Sequence, residues 1–290
     1  MTILTLSGSV PSRFAPENVL PRRSLITLTT DFGTKDWFVG TMKGVMLGIC
    51  PEASIVDVSH DISHGDIRGG AFALAASYQY FAPGTIHLAV VDPGVGGNRA
   101  AILVQTAEYF FVGPDNGVLS WALRQEKIKA IRKLENEKYF LRSISQTFHG
   151  RDIFSPVAAH LAKGVPVEKF GPAQKQLVTL LWPKPQRTRK EVTGEILYVD
   201  RFGNAITNIR SEFLDGFDRE NCQVILRRKA IARLKRYYEE VPPGEAACVT
   251  SSSGFLEIAI NGGSAAERLK LKVGDAVEVR RSSHHRSASA

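Results

Sequence analysis

The chain has 290 residues, 43% of them apolar and 23% charged, with a formal net charge of +8. That length and balance fit a globular chain with room for two cored domains, and they exclude fibrous and low-complexity classes. No apolar run reaches the roughly 20 residues of a membrane span, and Cys50, Cys222 and Cys248 are too few and too scattered for a disulfide framework or thiolate metal site.

Residues 1–23 carry Arg13, Arg22 and Arg23 and no apolar core segment, so a loosely ordered extension is expected rather than a secretory signal. A β-branched strand, Leu25 to Thr30, then ends in Asp31-Phe32-Gly33. Apolar residues at Phe38, Met42, Val45, Met46 and Ile49 have helical spacing, with Asp36 as a candidate N-cap and Pro51 as the stop. Ser54 to Val58 reads as a second strand, and Asp66 opens a second helix, Ile67 to Tyr80. Thr85 to Val91 (TIHLAVV) reads as a buried parallel strand. Strand, helix, strand, helix, strand is the pattern of a right-handed parallel sheet.

The stretch VDPGVGGNR, Val91 to Arg99, follows that third strand. Ligands collect at the carboxyl ends of strands in open α/β sheets. Here an acid, three glycines and a base stand at such an end, so Asp92 and Arg99 can meet across a turn whose N–H groups are open to a ligand. A Pro-Gly turn closed by an ion pair would give the same string. Residues 100–106 and 109–113 read as a strand pair leading to Pro114-Asp115-Asn116-Gly117 and a short helix through Leu123. Residues 126–145 show no clear period. In the segment TFHGRDIFSPVAAHLAKG, Asp152 is a candidate cap for a helix whose apolar face is Ile153, Val157, Ala158 and Leu161, with His149 at its mouth.

Residues 24–183 are thus expected to form an α/β domain, and 184–192 a Pro- and base-rich linker. Residues 193–282 are expected to form a small antiparallel, barrel-like β domain. Its strands are read at Glu195–Asp200, Ala205–Ile209, Cys222–Leu226, Ala247–Thr250, Leu256–Ile260 and Ala276–Arg280. Residues 283–290, including two histidines, read as a disordered tail.

The positive charge is local: Lys184 to Lys190, Arg227 to Arg236 (a candidate basic strand pair), and the C-terminal arginines. None of these runs interleaves aromatics for base stacking, so neither a nucleic-acid partner nor a membrane partner is expected. Asp57, His60, Asp61, His64 and Asp66 match no tight metal-ligand spacing, and no metal is expected there. Gly94-Val95-Gly96-Gly97 is not a dinucleotide fingerprint: it lacks the G-x-G-x-x-G spacing and leads to a strand. Asp31 suits a ribose hydroxyl or an amine; Asp36 stays open between ligand and cap. Val199–Ile209 (VDRFGNAITNI), Ser251–Glu267 (SSSGFLEIAINGGSAAE) and Tyr238 are suited to hold a planar heterocycle, although ordinary turn chemistry would explain each loop singly.

Taken in order, TDFGTKD, DPGVGGNR, PDNG, TFHGRD, DRFGNAITNI and SSSGFLEIAINGGSAAE resemble the adenosine-forming S-adenosylmethionine hydrolases, also called hydroxide adenosyltransferases, relatives of the fluorinating and chlorinating enzymes. The resemblance covers roughly residues 24 to 282. It implies hydrolysis of S-adenosylmethionine to adenosine and methionine without metal or redox cofactor. It also implies a homotrimer whose sites lie between one subunit's N-terminal domain and its neighbour's C-terminal domain; the cytoplasmic setting expected for the chain rests on its few, scattered cysteines. By the same resemblance, Asp92, Arg99 and His149 form the catalytic triad. Substrate contacts fall on Asp31, Asp36, Asp200, Phe202, Asn204, Ser252 and Asn261, with Tyr238 stacking on adenine. Halogenating relatives lack the acid at position 92 and carry a hydroxyl side chain at position 150, where this chain has Asp92 and Gly150.

Overall fold

A computed structural model describes residues 24–218 and 221–281; the expected 1–23 extension and 283–290 tail lie outside the described residues. Strands β1 (Leu25–Thr30), β2 (Ser54–Ser59) and β3 (Ile86–Val90) run parallel, connected by helices α1 (Phe38–Ile49) and α2 (Ile67–Ser77). Next come β4 (Ala101–Thr106), β5 (Phe110–Pro114), α3 (Ser120–Leu123) and β6 (Ile128–Lys133). The sheet order is β2-β1-β3-β5-β4-β6, with β5 parallel to β3 and β4 antiparallel to both its neighbours. The sheet is therefore mixed: the short link between β4 and β5 cannot make a parallel crossover.

Helices cover both faces. Leu88 and Val90 of β3 join Met42, Met46, Val157 and Phe154 on one side, while Ala89 packs with Leu74, Phe111 and Leu119 on the other. That two-sided burial explains why β3 is an unbroken apolar run. His87 sits within it, fully buried, with Nδ1 2.8 Å from Thr27 Oγ1 and the rings of Tyr78, Tyr109 and Phe111 around it. Burial pushes its pKa down to about 3, so it is neutral in the folded chain.

Two expected caps are corrected. The N-cap of α1 is Trp37, with no side-chain cap; Asp36 stands one residue outside, exposed. Asp152 does not open a helix either. It lies inside a π-helical turn, Gly150–Phe154, that starts after His149 and feeds α4 (Ser155–Ala162). Asp66 does cap α2, accepting from Gly69 N at 2.9 Å. Strand β6 falls in the stretch without clear period because Ile131 is its only buried side chain.

The second region contains β7 (Gln186–Arg187), β8 (Glu191–Val199), β9 (Ala205–Arg210), β10 (Cys222–Leu226), β11 (Lys229–Arg233), β12 (Ala246–Thr250), β13 (Phe255–Ile260), α5 (Ala265–Arg268) and β14 (Ala276–Arg281). The order β11-β10-β14-β8-β9-β13-β12 is antiparallel throughout, with β7 beside β8. A bridge between Leu234 and Cys248 brings its ends together into a near-barrel around Val192, Ile196, Cys222, Cys248 and Ile258. The basic stretch Arg227–Arg236, read as a candidate strand pair, holds a single strand: β11 pairs with β10, which precedes the basic run. The two regions dock through Phe72, Trp121, Leu197, Ile206 and Phe255, with Phe72 stacked on Tyr198 and Arg68 3.0 Å from Glu195.

Candidate active site

Asp92 and Arg99 bracket the glycine turn after β3. Arg99 Nε lies 3.1 and 2.9 Å from the two carboxylate oxygens of Asp92, and its Nη2 lies 2.5 Å from Oδ2. The same Nη2 lies 2.8 Å from His149 Nδ1. All three side chains are largely buried, and the guanidinium also lies over the Phe154 ring at 5.4 Å. Asp92, Arg99 and His149 are therefore one hydrogen-bonded unit; the turn itself suggested the Asp92–Arg99 contact, and only the family resemblance linked His149 to it.

Two features bring the histidine to the turn. Gly96 has φ +76°, and a Cβ there would run into the carbonyl of Gln146, so only glycine lets the turn approach the segment that carries His149. That segment is in turn fixed by Asp152, 1% exposed, which accepts from Ser145 N at 2.8 Å and pairs with Arg151 at 2.6 Å. The π-turn sets the orientation; such turns recur at functional sites. Asn116 of the PDNG stretch ties the other side down, donating to Val91 O at 2.8 Å. Sequence reading missed both supports: Asp152 resembled a helix cap, and Asn116 an ordinary turn residue.

The turn's backbone is less open to an anion than the glycines suggested. Val95 N donates to Asp92 O and Gly97 N to Gly94 O, so two of its N–H groups close the turn itself.

The hydrogen bond from Arg99 fixes the tautomer of His149. A guanidinium only donates, so Nδ1 must accept and the neutral ring carries its proton on Nε2. Burial, followed by the charge of Arg99, holds the imidazole pKa below the usual histidine value. His149 thus presents an N–H donor at neutral pH, while acceptor capacity lies on Asp92.

Asp31 stands at the end of β1, beside the end of β3, because Thr30 pairs with Val90. Its Oδ2 accepts from Gly65 N at 2.8 Å, tying β1 to the loop before α2. Trp37 is 70% exposed and sits 5.2 Å from the Phe38 ring, which contacts edge-on, at 5.2 Å, the ring of Phe148, the residue before His149.

The second-domain residues lie apart from this unit: among the described residues no hydrogen bond, ion pair or ring contact joins them to the triad. Asp200 Oδ1 accepts from Phe202 N at 2.9 Å and Asn204 N at 2.8 Å, shaping a loop that leaves Phe202 78% exposed. Tyr238 donates to Glu257 at 2.6 Å, and Asn261 Nδ2 to Val241 O at 2.8 Å. Ser252 is exposed in the β12–β13 turn, at the opposite end of β13 from Asn261. Cavities of about 500 and 530 Å³ lie elsewhere, one between the regions beside Trp121, Trp182 and Phe255 and one beside β11, and neither includes the triad.

Asp57, His60 and Asp66, three of the acidic and histidine residues around the β2–α2 link, are engaged elsewhere. Asp57 contacts Lys43 at 2.6 Å and His60 Nε2 at 3.1 Å, His60 Nδ1 meets Thr30 Oγ1 at 2.8 Å, and Asp66 is the helix cap. Among the described residues no group of three or more His, Cys, Asp or Glu side chains is arranged to hold a metal ion.

Two family models match in tandem: the SAM hydroxide adenosyltransferase N-terminal domain over residues 26–171, and the corresponding C-terminal domain over residues 194–278. The chain belongs to the SAM hydroxide adenosyltransferase family. Members similar to it include the (R)-S-adenosyl-L-methionine hydrolase of Salinispora arenicola, 39% identical over 88% of this chain and 97% of that protein. The namesake from Methanocaldococcus jannaschii is 35% identical over 88% and 95%. A fluorinase from Actinopolyspora mzabensis stands further off, at 24% over 90% and 98%. Among solved structures, an uncharacterized conserved protein from Thermotoga maritima superposes with a TM-score of 0.84 at 39% identity, covering 88% of this chain and all of that one. A conserved hypothetical protein from Thermus thermophilus gives 0.71 at 34%, covering 89% and 100%.

Proposed function

We propose that this family member hydrolyses (R)-S-adenosyl-L-methionine to adenosine and L-methionine, with Asp92, Arg99 and His149 holding the attacking water. The observation that carries the reading is the Asp92–Arg99–His149 hydrogen-bonded unit, set at the carboxyl end of β3 in a chain 35–39% identical to hydrolases of that name. The sulfonium is already a good leaving group, so no general acid is needed. Water oxygen bonds to C5′, the C5′–S pair leaves on sulfur as the neutral thioether of methionine, and one proton is released. His149 Nε2–H donates to the oxygen and orients it. The Asp92 carboxylate, aligned by Arg99, accepts from the water and receives or relays the proton as its acidity rises. Positioning and partial desolvation supply most of the effect.

Water rather than halide is favoured at position 150. A Cβ on Gly150 would sit 3.2 Å from Met42 Sδ and 3.3 Å from the Phe32 ring, so a hydroxyl side chain is crowded there.

Asp31 and Asp36 serve the substrate from the first domain. Asp200, Phe202, Asn204, Tyr238, Ser252 and Asn261 serve it from the second domain of a neighbouring copy in a homotrimer. Support comes from the separation of the two sets within one chain and from exposed Trp37 and Phe202, which a facing copy would cover. No metal or redox cofactor takes part, and neither nucleic acid nor membrane is a partner; no helix among the described residues is long and apolar enough to cross a membrane. The buried thiols of Cys50, Cys222 and Cys248 suit a reducing cytoplasm. The test is incubation of the pure protein with each sulfonium epimer, following adenosine and methionine by chromatography. Equimolar products from the R epimer are expected; no adenosine from either epimer would overturn the reading.

A further inference from the structure

Strand β13 is buried along its whole length, and Glu257 is its one charged residue. Leu256, Ile258 and Ile260 point into the barrel core, and Phe255 faces outward against the first domain. Alternation therefore places Glu257 on the outer face, yet it is only 4% exposed. No cation pairs with it among the described residues. Its contact is Tyr238, whose Oη donates to Oε1 at 2.6 Å. Burial, and then the nearby charge of Asp200, raises the carboxyl pKa above the ordinary range. A buried carboxyl without a cation costs stability, and an aliphatic residue of similar size would be tolerated at least as well. Such a group marks a place where something other than packing matters.

Tyr238 shows what that is. The residue is 41% exposed while its hydroxyl is tied down to Glu257, so an accessible side chain has its orientation set. The tie reaches from a short turn, Tyr238–Glu240, to the centre of a buried strand. A loop tyrosine loses rotamer freedom when it stacks on a ligand, and a fixed hydroxyl removes that cost beforehand. Asp200, whose carboxylate shapes the Phe202–Asn204 loop, is close enough to act on both Tyr238 and Glu257.

We propose that Glu257 is a positioning residue: through its bond to Tyr238 Oη it holds that ring as the wall against which the adenine of the substrate stacks. The inference rests on the proposed assignment of Tyr238 to adenine. The full-length chain is titrated calorimetrically with adenosine, and kcat and KM are measured on the same preparations. Tyr238→Ala should weaken adenosine by about tenfold or more, the scale of one lost stacking contact. Tyr238→Phe and Glu257→Leu should each weaken it severalfold and raise KM by a similar factor, the pattern of lost binding to the adenine. Their double variant should be no weaker than the worse single one, since both remove the same bond. Glu257→Gln, whose amide oxygen still accepts, should recover most of the loss, a result that a merely space-filling role would not give. Unchanged adenosine affinity in Tyr238→Ala would sink the adenine assignment itself. A Tyr238→Ala loss with no effect of Glu257→Leu, or additive losses in the double variant, would sink the positioning role alone.

Discussion

Arg99 is the hinge of the site because it donates in two directions, to Asp92 and to His149 Nδ1. Replacing Asp92 with Asn leaves the shape but puts an amide N–H where the guanidinium and the water both need an acceptor. The expected outcome is a kcat loss of about a hundredfold or more with little change in adenosine affinity, the pattern of an interaction made mainly in the transition state. Calorimetry beside product release checks it; equal turnover in the variant and the parent would remove Asp92 from the chemistry. His149 gives a second, independent expectation. Acting as an N–H donor, it should be replaced better by Gln than by Ala, and the ranking of kcat in the two variants measures this. Protonation would set an N–H on Nδ1 against Arg99, so kcat should fall on the acid side, below the ordinary histidine range, because the imidazole pKa is lowered. A limb above that range, abolished in the Gln variant, would contradict the lowered imidazole pKa.

At the scale of elements, β3 carries both a core and a pH response. His87 has an unfolded-state pKa near 6.5 and a folded one near 3, so the unfolded chain binds the extra proton between those values. Stability should therefore be intact above about pH 6.5 and fall as the pH drops toward 3, by on the order of a few kcal/mol from this group. Denaturant unfolding at pH 7 and pH 4 should show a smaller drop in His87→Phe, which the surrounding aromatics can accommodate; an unchanged drop would exonerate the histidine. The helix cap offers a smaller effect: Asp66→Ala should cost about 1 kcal/mol by the same assay.

The elements with strong periodicity were legible in the sequence: β1, β3, α2 and the barrel strands β9 and β10 fall where the patterns put them, within a residue or a few. What misled were single polar residues near a helix start. Asp36 and Asp152 both have the composition of caps, but α1 opens at Trp37, and the chain before α4 is already wound in a π-turn at Asp152. Composition records that an acid is near a helix end; it does not record whether its carboxylate turns back to the helix or, like Asp152, reaches Ser145. Strand β6 was hidden because an edge strand with one buried side chain has no alternation to read. At the site, Asp92, Arg99 and His149 stood out by residue type, but the tautomer of the histidine and the burial of Glu257 depend on contacts between segments far apart in the chain.

On the scale of the whole molecule, the two sets of site residues are carried on regions that dock through Phe72, Trp121 and Phe255, and among the described residues no hydrogen bond, ion pair or ring contact joins the second-domain set to the triad. If neighbouring copies complete each site, an inactive Asp92→Ala chain and an inactive Asn204→Ala chain should recover part of the activity when unfolded together and refolded as a mixture. Hybrid assemblies then contain some sites with neither lesion. Activity no higher than the sum of the separately refolded variants, with mass measurement showing mixed assemblies, would place the whole site within one chain. The central claim, that the triad aims a water at C5′, is tested most directly by running the reaction in ¹⁸O-water. The account predicts adenosine carrying the heavy oxygen at its 5′-hydroxyl, one methionine for each adenosine, and loss of that product in Asp92→Asn. Adenosine whose 5′-oxygen is unlabelled, or a labelled product that forms equally well in Asp92→Asn, would contradict it.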